Sequence, residues 1–217
     1  MNALQAFLAE RGGDILRGLG QHIYLTVVAM ALAAGVAIPL GLALTRAKRY
    51  ADKVIAVVGI VQTLPSLALV GLMLPLLGGG AKAAIVALFL YALLPIVRNT
   101  YTGVKSVDPA IIEAARGMGM TSRQVLLRIE LPLSVPIMMA GLRTSTIICV
   151  GVATLGGIIG AGGLGDLIWL GINRVNDSLI YAGAFPAMAL ALALDGVLAL
   201  GERAFTPRGM AGEGREG

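Results

Sequence analysis

The sequence predicts an all-α membrane protein with about five transmembrane helices. Hydrophobic residues make up 57% of its 217 residues, charged residues only 13%, and the mean hydropathy is +0.86. A water-soluble core of this size could not bury so much apolar surface, whereas a lipid bilayer accepts apolar helices that satisfy their own backbone hydrogen bonds. The spacing of the charges agrees, because it leaves several uncharged runs long enough to cross a bilayer.

The spans are placed by the gaps between charged residues, since a hydrocarbon core of roughly 30 Å needs about 20 apolar residues. The uncharged stretches between Arg17 and Arg46 and between Lys53 and Lys82 hold the first two. The third is short unless it begins in the glycines at 78–80 and Lys82 extends its charge toward the membrane surface. The predicted spans are 21–44, 54–77, 80–98, 132–159 and 178–200.

The first apolar run is interpreted as a retained helix and not as a cleaved signal peptide. It continues past Pro39 to a basic cluster, whereas the apolar region of a signal peptide has about 7 to 15 residues and ends at a small-residue cleavage site. The sequence therefore predicts one transmembrane domain over 21–200. A segment at 1–20 precedes it, and a tail at 201–217, rich in glycine and charge, follows it and is expected to be flexible.

Lysine and arginine are distributed unequally between the predicted loops, and this asymmetry sets the orientation. Twelve of the 17 lie in the loop at 45–53, the loop at 98–131 and the tail, whereas four lie on the other side and Arg143 lies inside a span. The basic side is the cytoplasmic side, so we expect the N-terminus outside and the C-terminus in the cytoplasm. The basic residues are dispersed and lack interleaved aromatic residues, which argues against a nucleic-acid partner.

The most distinctive segment is the polar loop at 99–131, between the third and fourth spans. Asp108 and Pro109 have the chemistry of an N-cap and a first helical residue, so a short helix is predicted over 109–117. The glycines at 117 and 119 end this helix. Taken alone, such a loop would be interpreted as a solvated amphipathic connector.

A second helix is predicted after these glycines, with Thr121 and Ser122 as its capping residues. Its periodicity predicts three side chains facing water, Arg123, Arg128 and Glu130, and three facing the membrane side, Val125, Leu126 and Ile129. Pro132 ends this helix and begins the fourth span.

Within the loop the sequence runs Glu113-Ala114-Ala115, then Gly119, then Ile129, and finally Leu131-Pro132. This pattern resembles the cytoplasmic loop of the permease subunits of bacterial ABC importers, the binding-protein-dependent transport family. The resemblance implies the all-α, MetI-like fold of those permeases. It also implies that the short helix fits a cleft on an ATP-hydrolysing subunit, so that closure of the ATPase dimer moves the spans. The ATPase-coupling residues that it implies are Glu113, Ala114, Ala115, Gly119, Ile129, Leu131 and Pro132.

Three further stretches, 62–68, 91–101 and 160–168, are similar to the osmoprotectant subgroup of that family. This similarity implies a multi-pass protein of the bacterial inner membrane that imports glycine betaine, carnitine, choline and related solutes. It implies as partners an extracellular or periplasmic substrate-binding protein and a second permease copy, in a homodimer or a heterodimer. The sequence lacks Gly-x-x-x-x-Gly-Lys-Ser/Thr, so ATP and Mg²⁺ are expected on a separate ATPase. We expect no cofactor on this chain, which is not itself an enzyme.

Gly160, Gly162 and Gly165 match the Gly-x-Gly-x-x-Gly pattern of dinucleotide-binding proteins. That site needs a preceding strand and an acidic residue about twenty residues later, whereas this stretch follows a predicted transmembrane helix. We interpret residues 160–165, including Gly163, as an external turn between the fourth and fifth spans. It is either a packed turn or a gate and docking surface for the binding protein.

Polar residues inside the spans are the candidates for lining a translocation path. They are Gln62, Thr63, Ser66, Thr144 and Thr146, together with Ser145 and Thr154. Pro65 is expected to kink the second span and to expose backbone carbonyls beside it. The structural alternative is that the Ser and Thr hydroxyls bond to helix backbone. Aromatic residues make up only 5% of the chain and are scattered, so no aromatic cage for a quaternary ammonium group is predicted.

Arg143 and Asp195 are the two ionisable residues most clearly inside predicted spans. A charge within the membrane usually has a partner, so we expect these two to pair and to brace the fourth and fifth spans, or to act in gating. The sequence contains no cluster of histidine, cysteine or paired carboxylates that indicates a metal site or an enzymatic centre. Its single cysteine, Cys149, excludes a disulfide within the chain.

Two alternatives to osmoprotectant import remain. The same machinery could carry another solute, such as ergothioneine or an amino-acid derivative, because the sequence does not specify the substrate. An ion-coupled secondary transporter is the second alternative, and it would need intramembrane carboxylates for its coupling ion, of which Asp195 is one.

Overall fold

The computed structural model describes the backbone of residues 3–205 and the side chains of residues 11–203. Within that range the chain is helical and contains no strand, so the predicted fold class is confirmed. The helices are α1 (Ala3–Arg46), α2 (Lys48–Thr63), α3 (Ser66–Leu77), α4 (Ala81–Lys105), α5 (Pro109–Gly117), α6 (Ser122–Val125), α7 (Leu131–Ala153), α8 (Leu164–Asn173) and α9 (Asp177–Phe205). A π-helical turn, Leu126–Glu130, precedes α7, and a 3₁₀ turn, Thr154–Ile159, follows it.

Four helical stretches of the described chain are long and apolar enough to cross a membrane. They are Arg11–Arg46, Ala81–Lys105, Ser122–Ile159 and Asp177–Arg203. The pair formed by α2 and α3 provides a fifth if it is counted as one broken span, since the two helices are bent by 91° at a short break.

The predicted spans differ from these helices mainly at their ends. The spans predicted at 21–44 and 178–200 lie inside α1 and α9, and the one at 80–98 lies almost entirely in α4, which continues to Lys105. The span predicted at 132–159 is α7 followed by the 3₁₀ turn. The tail predicted at 201–217 begins inside α9, and its residues 206–217 lie outside the described part of the chain.

The second predicted span is two helices and not one kinked helix. Helix α2 ends at Thr63 and α3 begins at Ser66, with Leu64 in an extended conformation between them. Proline cannot donate to the preceding turn, and it disfavours a helical conformation in the residue before it. Pro65 therefore ends one helix and starts the next.

Small residues let the backbones of α1, α4 and α7 approach closely, and α4 lies between the other two. Helix α1 buries Ala29, Ala33 and Ala37 completely, at a spacing of four residues that places them on one face. Gly41 continues this face, since a Cβ there would lie 2.7 Å from the Cβ of Thr100 in α4.

Helices α4 and α7 meet at Gly141. A Cβ at this position would lie 2.6 Å from the Cβ of Asn99 and 2.8 Å from the carbonyl oxygen of Pro95. Backbone atoms on α4 cannot move aside, so the two helices can keep their distance only with glycine at this position.

We expect Gly141→Ala to lower the free energy of unfolding by about 1–3 kcal/mol, because the added methyl group forces α4 and α7 apart. Gly151→Ala in the same helix is the matched control, since a Cβ there meets nothing within 4 Å. Thermal unfolding of the purified protein in detergent measures both. An unchanged midpoint for Gly141→Ala would contradict the close contact.

Candidate functional site

The short helix α5 carries Glu113, and local chemistry fixes both of its ends. At the first end, the carboxylate of Asp108 accepts a hydrogen bond of 2.8 Å from the backbone N–H of Ala110, with Pro109 as the first helical residue. The helix is therefore bounded at the residues that the sequence predicted.

The second end of α5 is a Schellman motif, which explains the fixed glycine of the sequence pattern. The N–H of Met120 bonds to the carbonyl of Ala115 at 3.1 Å, and the N–H of Gly119 bonds to that of Arg116 at 2.9 Å. Gly119 has φ +83°, in the left-handed region that side chains disfavour. The glycine is thus required by the backbone at the helix end.

One face of α5 is exposed and the other anchors it. Ala115 is buried, whereas Glu113, Ala114 and Gly119 are exposed. Next to them lies Met118, whose side chain is 77% exposed. Sequence reasoning did not single out Met118, although a large apolar residue beside the glycines is a signal for a contact surface.

The second half of the loop begins as predicted and then departs from the prediction. Thr121 and Gln124 form a reciprocal capping box at the start of α6. Val125 is buried and Ile129 is partly buried, in agreement with the apolar face. Glu130, however, is only 6% exposed, so the prediction that it faces water is wrong.

Glu130 forms an ion pair with Arg46, the last residue of α1, at 3.0 Å. The π-helical turn explains the difference from the prediction. It bonds each residue to the fifth one along, so it widens the helix and changes the face that the following residues occupy. An α-helical periodicity through Leu126–Glu130 therefore misplaces the carboxylate.

A cavity of about 270 Å³ lies between the ends of α1 and α4 and the helix α5. Two of the three carboxylates of the loop line it, and so do four basic side chains. These six residues are Glu113, Glu130, Arg46, Lys48, Lys105 and Arg116.

At the opposite end of the bundle, the glycine turn at 160–165 is held against α1. Gly160, Gly162 and Gly163 all have positive φ. The N–H of Gly163 donates a hydrogen bond of 2.9 Å to Oε1 of Gln21, and a Cβ at Gly162 would lie 2.7 Å from the same oxygen. At Gly165, a Cβ would overlap the carbonyl oxygen of Thr154, so a larger residue does not fit there.

Two residues of α1, Gln21 and His22, lie against this turn, and the sequence did not predict either contact. Besides Gln21, His22 is completely buried, and its Nε2 donates to the carbonyl oxygen of Val150 at 3.1 Å. A lone histidine near the end of an apolar run carries no sequence signal for such a contact, because its partners come from α7 and the glycine turn.

The candidate path residues fall into two separate groups. Gln62, Thr63 and Ser66 surround the break between α2 and α3. The amide of Gln62 donates to the carbonyl of Tyr91 at 3.1 Å, and the hydroxyl of Tyr91 donates to that of Leu64 at 2.5 Å. Helix α4 therefore fixes the geometry of the break.

The second group lies on α7, where hydroxyls bond to helix backbone. Ser145 donates to the carbonyl of Ala92 at 3.0 Å and Thr146 to that of Leu142 at 2.9 Å, and both are buried. Thr144 is exposed on another face of the helix. Thr154 donates to the carbonyl of Gly151 at 2.7 Å.

Arg143 meets two carboxylates of α9. Its Nε lies 2.7 Å from Oδ1 of Asp195 and its Nη2 lies 3.0 Å from Oδ2, while Nη1 lies 3.1 Å from Oε2 of Glu202. Each of the three side chains is about a third exposed or less. Sequence reasoning missed Glu202 because it lies just beyond the predicted end of the fifth span, although it is two helical turns from Asp195 and so on the same face.

The helices form a membrane bundle in which a short capped helix with Glu113 on its exposed face lies between two spans, an arrangement that fits a membrane transport subunit. Comparison with known proteins identifies which one. Residues 35–208 match the family model described as the inner membrane component of binding-protein-dependent transport systems, and the chain belongs to this family. It is therefore a permease, located in the bacterial inner membrane, and not an enzyme. Membership implies a substrate-binding protein and an ATPase as partners.

Similar proteins cover the whole chain. The glycine betaine/carnitine/choline transport system permease protein OpuCB of Bacillus subtilis is 50% identical over 98% of both chains, and the choline transport system permease protein OpuBB of the same organism is 48% identical over 97% of both. Among solved structures, an inward-facing MetNI methionine ABC transporter matches with a TM-score of 0.81 and 26% identity, over 91% of this chain and 99% of that one.

We expect Arg143→Met to lower the free energy of unfolding by about 2 kcal/mol, since it removes the cation that holds both oxygens of the partly exposed Asp195 carboxylate. The triple variant R143M/D195N/E202Q should recover most of this loss because no unpaired charge remains. Thermal unfolding in detergent measures both, with exposed Arg174→Met as the control. Equal midpoints for wild type and Arg143→Met would show that the cluster does not stabilise the bundle.

Proposed function

We propose that this chain is the translocating subunit of an ATP-driven importer for quaternary ammonium osmoprotectants, namely glycine betaine, carnitine and choline. A substrate-binding protein delivers the solute, and a separate ATPase binds Mg²⁺ and ATP. The observation that carries the proposal is the exposed face of α5, where Glu113 stands on a helix capped at both ends and flanked by the two spans α4 and α7.

The loop at 99–131 acts as the coupling segment. Its exposed face offers a carboxylate at Glu113, an apolar side chain at Met118 and the bare backbone of Gly119. A partner cleft with a basic group and an apolar floor fits this combination. Ile129, Leu131 and Pro132 are partly buried and join the segment to α7, so a displacement of α5 reaches the spans. Given the positive-inside distribution, this segment lies in the cytoplasm, where ATP is available.

The solute path lies at the break between α2 and α3. Irregular backbone at membrane depth is tolerated only where protein covers it or where it lines a water-filled cavity. In the single chain this break is open, since Leu64 is 41% exposed and Thr63 is exposed beside it. A second permease copy facing the break would enclose a path lined by Gln62, Thr63 and Ser66. The glycine turn at 160–165 lies at the opposite end of the bundle, where residues 161–165 are buried and Gly160 is exposed, so Gly160 is the part of the turn that a binding protein can reach.

The osmoprotectant class rests on the two Bacillus subtilis relatives, whose names state choline, carnitine and glycine betaine as their solutes. An ion-coupled mechanism is disfavoured by the contacts of Asp195, because both of its carboxylate oxygens accept hydrogen bonds from Arg143. A carboxylate engaged in this way is not available to a coupling ion.

Glu113→Lys should abolish co-purification of the ATPase, since it reverses the charge at the centre of the docking face. Gly119→Ala should weaken co-purification, because a side chain at φ +83° costs about 1–2 kcal/mol and distorts the end of α5. Gly117→Ala is the matched control, as its φ is helical and its Cβ would also meet open space. Affinity purification from membranes measures all three. Full ATPase recovery with Glu113→Lys would contradict docking at α5.

In proteoliposomes that contain permease, ATPase and binding protein, we expect uptake of labelled choline or glycine betaine to require ATP. Uptake without ATP but with an ion gradient would favour secondary transport. A binding protein that retains another solute, such as ergothioneine, would reassign the substrate and leave the mechanism unchanged.

A further inference from the structure

Helix α1 contacts functional segments at both ends of the bundle. At one end, Nη2 of Arg46 donates to Oε2 of Glu130 at 3.0 Å and approaches the carbonyl oxygen of Ser122 at 3.4 Å. These two residues lie at opposite ends of the unit formed by α6 and the π-helical turn. A single arginine of α1 thus spans the second half of the coupling segment.

The Glu130 carboxylate depends on this arginine. Its side chain is only 7% exposed, and Arg46 is the cation that pairs with it among the described side chains. Moving the coupling segment away from α1 would break this ion pair, so the pair holds the segment to the end of α1. The loop pattern fixes Ile129 and Leu131 but allows any residue at position 130. Glu130 was therefore not among the predicted coupling residues.

At the other end, α1 holds the glycine turn. Gln21 accepts the N–H of Gly163 at 2.9 Å, and the neighbouring His22 donates to Val150 of α7. A Cβ at Gly163 would lie 3.2 Å from Nδ1 of His22, so the turn and the helix are closely packed at this glycine. The turn therefore follows α1 if the helix shifts.

Helix α1 is continuous between these contacts, Pro39 included. From Gln21 to Arg46 it covers 26 residues, or about 38 Å at a rise of 1.5 Å per residue, which is more than the thickness of the hydrocarbon core. It is the described helix that contacts both the coupling segment and the glycine turn through side-chain hydrogen bonds.

We infer that α1 is a strut that transmits displacement of the coupling segment to the glycine turn, with Arg46 and Glu130 as positioning residues at one end and Gln21 at the other. The inference rests on the proposed function, since the displacement comes from the ATPase. Arg46 and Glu130 line a cavity together with Glu113, but they are not part of the exposed face formed by Glu113, Met118 and Gly119, and neither end lies at the break between α2 and α3. Their role is to make the two ends of the bundle move together.

The test is the number of solute molecules imported per ATP hydrolysed, in proteoliposomes of the full complex. Arg46→Gln and Gln21→Ala should each lower this ratio about fivefold, the size of a typical coupling between two sites, and with Gln21→Ala, at the far end of α1, ATPase recovery and basal hydrolysis should stay at the wild-type level. Arg49→Gln, an exposed arginine one turn further along the chain, is the matched control and should leave the ratio unchanged.

Two combined variants sharpen the test. R46Q/Q21A should lower the ratio no further than the more severe single variant, because both substitutions break the same connection through α1. Residues so far apart normally give additive effects. The swap R46E/E130R should recover most of the wild-type ratio. The proposal that α1 acts as a strut would be wrong if the double variant lost as much of the solute-to-ATP ratio as the two single variants together, or if both single variants left the ratio unchanged.

A swap that folds and assembles but stays uncoupled would overturn the role of the ion pair. Failure of the proposed function has a different signature. In that case the wild-type complex itself would show no ATP-dependent uptake.

Discussion

The close approach of α4 to its two neighbours is the contact on which the rest of the structure depends. In lipid there is little hydrophobic force between helices, so association relies on backbones that come near enough for van der Waals packing. Gly141 on α7 and Gly41 on α1 provide this proximity on the two sides of α4. Because α4 leads into the coupling segment and α7 leads out of it, the segment is held between two helices that are already packed against each other. A short polar loop can then have a defined shape.

The polar groups inside the bundle fall into two kinds with different consequences. Ser145 and Gln62 donate to backbone carbonyls of α4, which ties helices together without leaving a charge in lipid, and Thr146 donates to a carbonyl of its own helix. Arg143 instead serves two carboxylates and links α7 to α9 as an ion cluster. The hydrogen bonds to backbone carbonyls fix the positions of neighbouring helices, whereas the ion cluster keeps α7 and α9 from separating. Transport requires both, since some helices must stay together while others move.

Local chemistry made much of the coupling segment predictable. Asp108 before Pro109 gave one end of α5, and a glycine at 119 gave the other, because both features act within a few residues. The pairing of Arg143 was expected from the cost of a charge in a span. Three features were not accessible in this way. The π-helical turn has no sequence signature, the 91° bend is larger than a proline kink suggests, and Gln21 meets the glycine turn only through the tertiary fold.

The broken helix has an electrostatic consequence. In a continuous helix the peptide dipoles are aligned and add up, so the resulting partial charges lie at the two ends, near the membrane surfaces. The break at Leu64 and Pro65 exposes two new ends inside the apolar region, the carbonyl end of α2 and the N–H end of α3. The 91° bend keeps the two ends from pointing along one axis, so both signs of partial charge are present within a few residues. In the proposed path, these two partial charges are complementary to a zwitterion such as glycine betaine or carnitine, whereas choline, which has no anionic group, is complementary only to the carbonyl end.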